Sequence, residues 1–151
     1  MKMVVRLLIL SLLLGSSIST AMDENVLMMR STQSFPETML MLQKHLGEYG
    51  YTISRVQRVD IGLTSSGFQT DKYRIVFYGK PEEIRKLSRR FPQLIPYLPL
   101  KLTIFAEQDE TLLVALDPIM LQDVVEDDEF SYILQRWRND ILSIMDEMRE
   151  Y

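Results

Sequence analysis

The residues of this chain that could do chemistry are few and scattered. His45 is the single histidine in 151 residues, and there is no cysteine. A histidine needs partners to hold a metal, and no HExxH or histidine-rich spacing surrounds this one. A Ser-His-Asp triad would also have to use it, and the chain has no Gly-x-Ser-x-Gly elbow. His45 therefore reads as a residue on the flank of a helix's apolar stripe. Without cysteine there is no disulfide, thiolate metal site or thiol nucleophile. Gly62-Leu63-Thr64-Ser65-Ser66-Gly67 has the glycine spacing of a phosphate loop. Phe68-Gln69 follows where Lys and Ser/Thr are required, so the segment reads as a plain loop.

The charged runs have simple readings too. Asp123, Glu126, Asp127, Asp128 and Glu129 supply carboxylates for Ca²⁺ but lack the alternating spacing and glycine of an EF-hand loop. They precede a helix, where negative charge is favoured. Arg85, Lys86, Arg89 and Arg90 could hold an anion or an anionic lipid. They also suit the C-terminal end of a helix, and the acidic segment is a natural partner, within the chain or across a dimer. Arg74 and Tyr78 share a strand face with Val76 and would line a shallow ligand site if no helix covers that face. Arg74, Tyr78, Arg85 and Arg89 are thus the ligand-binding candidates. No catalytic residue, metal set or cofactor is expected.

The elements that must position these residues are readable from periodicity. Leu100–Glu107 and Thr111–Pro118 are β-rich runs around the polar break Gln108-Asp109-Glu110, which predicts a hairpin at the centre of a sheet. Asn25–Ser31 is the first strand. Ser34 and Glu37 have the spacing of a capping box, Pro36 fits the first turn, and the helix they open stops at Gly50. Tyr51–Val59 reads as a strand with a break near Arg55-Val56, Asp60–Asp71 as a long loop, and Lys72–Tyr78 as a strand. A second helix opens at Pro81 and stops at Pro92, with acids first and bases last. Gln93–Pro99 is an irregular approach to the hairpin. Phe130, Ile133, Leu134, Trp137, Ile141, Ile144, Met145 and Met148 form the stripe of a final amphipathic helix. The order β-α-β-β-α-β-β-α predicts an α+β fold, two layers, with an antiparallel or mixed sheet packed against helices.

The first residues give an address. Met1–Arg6 is a basic segment, Leu7–Leu14 an apolar run of eight, and Gly15–Ala21 a small-residue stretch. That is the pattern of a secretory signal peptide over residues 1–21, cleaved after Ala21. Eight apolar residues fall short of the roughly 20 needed to span a bilayer. A periplasmic or secreted protein with no stable membrane span is expected. Without Lys2 and Arg6 the balance is 15 basic to 21 acidic residues, so nucleic acid is an unsuitable partner.

Several of these segments occur in an order that resembles a known family. They are the helix from Phe35-Pro36-Glu37-Thr38 to Gly50, the strand ending Val76-Phe77-Tyr78-Gly79-Lys80-Pro81, the step Leu98-Pro99-Leu100, and the closing Leu116-Asp117-Pro118. Their spacing resembles the DUF302 family over about Met28 to Pro118, though this chain has Gly79-Lys80-Pro81 where many members have Gly-Asn-Pro. The resemblance implies a compact α+β fold that self-associates, and implies no activity. The expected layout is a DUF302-like domain over 25–118 with a C-terminal helical segment, 119–151, packed on it. The function to expect is a non-enzymatic, exported ligand-binding or accessory protein of the cell envelope. Its partners would be a small ligand, an envelope protein or a second copy in a homodimer. A structural, self-associating subunit is the alternative, and a hydrolase with scattered catalytic residues a further one.

Overall fold

Apolar alternation builds one sheet. Strands β1 (Val26–Ser31), β2 (Thr52–Arg58), β3 (Tyr73–Gly79), β4 (Leu100–Glu107) and β5 (Glu110–Leu116) lie in the order β1-β5-β4-β3-β2. Every neighbouring pair is antiparallel. The structure is a computed structural model that describes residues 25–149. The expected signal peptide lies outside the described residues. The β4–β5 hairpin is central as expected, with Leu102 opposite Ala115 and Ile104 opposite Leu113.

The helices are α1 (Phe35–Glu48), α2 (Val59–Ser65), α3 (Pro81–Arg90) and α4 (Asp128–Arg149), with 3-10 segments at Pro92–Tyr97 and Pro118–Asp123. The fold is α+β. At the start of α1 the Glu37 carboxylate accepts from the Ser34 backbone N–H at 3.1 Å and from its hydroxyl at 2.7 Å. At its end Gly50 sits at φ 77°, Gly50 N–H donates to Gly47 O at 3.0 Å and Tyr51 N–H to Leu46 O at 2.9 Å. This pair of bonds is a Schellman turn, and the left-handed residue it needs is the glycine. Along α4, Phe130, Leu134, Trp137, Ile141, Ile144, Met145 and Met148 are buried, and they join Leu42 and Leu46 of α1 and the inward residues of the sheet in one core.

One local expectation changes and another is located. The stretch Asp60–Asp71 is not all loop, because α2 occupies its first half. None of its residues is buried, so it has no apolar stripe to betray it. It is tied down by an ion pair between Asp60 and Arg74. The irregularity expected in β2 near Arg55-Val56 is a register shift between Ile53 and Arg55. The bulge there turns Arg55 away from the core.

The buried positions of the strands, among them Leu27, Met29, Val76, Tyr78, Leu102, Ile104 and Leu113, share one face. The register lines up the other face in rows: Met28, Val114, Thr103, Ile75 and Gln57 across the middle, and Arg55, Phe77 and Lys101 towards one end. Tyr73, Phe105, Leu112 and Arg30 form the row at the other end.

Candidate functional site

The site lies where β3 runs out beneath α4. Tyr78 is fully buried there. The Schellman turn delivers Tyr51 to the same place, and the two rings meet edge-to-face, 5.4 Å between centroids and 82° between planes. The Tyr51 hydroxyl donates to Asp140 Oδ2 of α4 at 2.7 Å. Asp140 lies 3.8 Å from Arg136, one turn back. Arg136 pairs with Glu83 of α3, and the other oxygen of Glu83 accepts from the Trp137 indole N–H at 2.8 Å. The Lys80 ammonium sits over the Tyr51 ring, 4.9 Å from its centroid.

One polar group stands apart from this network. The Tyr78 hydroxyl is buried and has no hydrogen-bond partner among the described residues. Burial pushes the pKa of both phenols well above the ordinary tyrosine range. The hydrogen bond to Asp140 adds to the rise for Tyr51, and the charge of Asp140 adds to it for Tyr78. Both are therefore neutral donors at physiological pH.

Tyr78 also lines a cavity of about 80 Å³, together with Tyr97, Leu100, Lys101, Leu116, Pro118, Leu121 and Ile141. The two 3-10 segments, β3, β4, β5 and α4 each contribute to its wall. A water claims about 30 Å³ of liquid, so the space suits a group of a few heavy atoms. Its lining holds no histidine or carboxylate; its ionisable side chains are Tyr78, Tyr97 and Lys101.

The four residues singled out from sequence do not form one site. Tyr78 and Arg74 share the covered face of β3, but Arg74 is spent elsewhere: it pairs with Asp60 and its guanidinium lies 5.6 Å from the Phe35 ring centroid. Asp60 is in turn held below the usual carboxylate range, chiefly by its hydrogen bond from Arg74. Arg85 is exposed and pairs with Glu82 at 2.6 Å. Arg89 is exposed and makes no ion pair among the described residues. The rest of that basic run meets the acidic segment within the chain. Lys86 reaches Glu129 at 2.7 Å, and Arg90 bonds both Glu129 and Asp127, the latter at 2.6 Å. Asp127 also caps α4, accepting from Phe130 N–H at 2.9 Å. His45 lies on α1 against α4, away from the Tyr78 cavity lining.

Sequence reading missed Tyr51, Glu83, Trp137 and Asp140 as site residues. The only local signal was the Arg136–Asp140 spacing; the rest depends on how α4 crosses the sheet.

A model of the family described as a domain of unknown function, DUF302, matches residues 27–148. The chain belongs to the DUF302 family. The match runs through α4, so Tyr51, Tyr78 and Asp140 all lie within the DUF302 span. No curated protein matches the chain. The DUF302 chain is similar to a crystal structure of an uncharacterised conserved DUF302 protein from Bacillus stearothermophilus, with a TM-score of 0.75 at 19% identity, covering 83% of this chain and 99% of that one. At that identity the similarity is one of fold.

Proposed function

We propose that this protein is an exported, non-enzymatic binding domain of the cell envelope, and that the Tyr78 cavity takes the apolar end of a small ligand bearing a hydrogen-bond acceptor. The observation that carries this reading is that Tyr78, whose buried hydroxyl has no partner among the described residues, lines a largely apolar cavity. A buried donor without a partner costs about 1–3 kcal/mol, which an accepting ligand atom recovers on binding. The cavity is smaller than the few hundred Å³ of a typical ligand pocket, so only one end of a larger ligand enters it. Exposed Tyr97 and Leu116 at its rim supply apolar surface for the remainder. Export rests on the signal-like residues 1–21, and mature protein beginning at Met22 in the envelope or secreted fraction is the result it requires.

The test is a crystal structure of protein purified from its host, joined to a thermal-shift screen of small amphiphiles. Density within hydrogen-bond distance of the Tyr78 hydroxyl is expected, with hits that bind Tyr78→Phe at least tenfold more weakly. A cavity holding only water, together with hits indifferent to Tyr78→Phe, would overturn the reading. A second reading, self-association, is favoured by the apolar sheet face that no described helix covers.

A further inference from the structure

The chain's one histidine has been folded against two carboxylates that the sequence keeps far apart. His45 is buried near the end of α1, with 5% of its surface exposed. Its Nδ1 lies 3.0 Å from Glu48 Oε2 on the same helix and 3.1 Å from Glu147 Oε2 on α4. The three ligand atoms all lie within 4.8 Å of one another. The other oxygen of Glu147 accepts a 2.6 Å hydrogen bond from the Tyr49 hydroxyl, which fixes the direction in which that carboxylate points. This site stands about two turns of α4 away from Asp140 and is independent of the Tyr78 cavity.

We propose that His45, Glu48 and Glu147 bind a divalent first-row transition-metal ion. One imidazole nitrogen and two carboxylate oxygens are the mixed donor set that such ions take. The spacing also fits. Two ligand atoms about 2.1 Å from one metal lie about 3.0 Å apart when the angle at the metal is near 90°, and about 3.4 Å apart at the tetrahedral angle. The nitrogen–oxygen separations of 3.0 and 3.1 Å match the right-angle case. The imidazole nitrogen thus stands at right-angle spacing to each carboxylate oxygen, with the two oxygens within 4.8 Å of each other. Glu48 and Glu147 are half exposed, so the remaining positions open to solvent. His45 is positioned by its burial, and Glu147 by Tyr49. Hydrogen bonds that orient a ligating carboxylate commonly change metal affinity 10–100-fold. The bound ion joins the end of α1 to the end of α4, so it stabilises the contact between the two helices.

Isothermal titration calorimetry of the purified protein with ZnCl₂ and with MnCl₂ tests this. At least one ion should bind with a stoichiometry of one and raise the melting temperature, and chelator should reverse both. Glu48→Gln, at a half-exposed position, and Glu147→Gln should each weaken binding at least tenfold; His45→Ala should abolish it. Tyr49→Phe should weaken it about tenfold through Glu147. Unchanged affinity in Glu48→Gln and Glu147→Gln, or no stoichiometric binding of either ion by a folded protein, overturns the proposal. Should His45→Ala fail to fold, the two glutamine variants decide alone. Co²⁺ absorption in the visible, present in the parent and lost in Glu147→Gln, supplies a readout that a merely structural role for Glu147 would not move.

Discussion

Tyr51 and Tyr78 are the same side chain in contact, yet the two hydroxyls answer to substitution in opposite directions. Tyr51 donates to a carboxylate, a bond worth about 1.5–3 kcal/mol when well buried; Asp140 keeps some solvent, so the lower end applies to Tyr51→Phe. Tyr78→Phe removes a donor that has nothing to donate to, so it should be neutral or stabilise by up to about 1 kcal/mol. Urea unfolding of the two variants should therefore move the midpoint down for Tyr51 and leave it level or raise it for Tyr78. Equal losses would mean that Tyr78 has a partner. The same pair sets an alkaline limit. Both folded-state pKa values are raised, so their contribution is fully present below the unfolded value near 10 and is lost as pH rises beyond it. Each tyrosine should then cost about 1.4 kcal/mol per pH unit above that point, and the double Phe variant should show a flatter decline. The sequence put Tyr78 on one strand face with Arg74 and Val76 but did not show that helices cover that face and bury it. Its condition was not legible either, because it depends on Tyr51 and Asp140 arriving from distant parts of the chain and stopping short of its hydroxyl.

Elements were legible in proportion to how locally they are specified. The start and end of α1 are written in Ser34, Glu37 and Gly50, and α4 in its apolar stripe; both formed where periodicity put them. The short α2 has neither signal, since its anchor is an ion pair to Arg74 on β3. The corner between β3 and α3 is a sharper case. Gly79 belongs to the run that resembles the family, and its place in the fold explains why it is glycine. A Cβ there would meet Ile84 Cγ1 at 2.9 Å and Cδ1 at 3.0 Å, so α3 could not start so close to the sheet. Gly79→Ala should cost about 1–3 kcal/mol, the usual range for overpacking. Measured again in an Ile84→Ala background, where the obstructing atoms are gone, the same change should cost clearly less. An identical cost in both backgrounds would remove the clash as its cause.

At the scale of the whole molecule, among the described residues helices cover only one face of the sheet. A solvated antiparallel face ordinarily reads as polar. Here Ile75 and Val114 lie at its middle, with Tyr73, Phe105 and Leu112 at one end and Phe77 and Leu116 at the other. The charges on this face are sorted by end. Glu107 and Glu110 share Arg30 beside Phe105, which leaves that end net negative. Arg55 and Lys101 both sit over the Phe77 ring, 5.9 and 6.0 Å from its centroid, which makes the opposite end positive. A second copy rotated about an axis running across the strands would set each basic end over the partner's acidic end and bury the apolar middle between them. Such a two-fold contact is self-complementary, as an isologous interface must be. Light scattering over a concentration series should accordingly give a dimer mass that falls to the monomer at high dilution. Val114→Lys, in the middle of the face, should give a monomer with little change in unfolding midpoint. Lys101→Glu and Glu107→Lys should each weaken the dimer about tenfold, and the two together should restore part of the loss, because the swapped charges again oppose. A monomer mass for the parent protein at every concentration would rule the interface out, and a dimer indifferent to all three substitutions would place it on another surface.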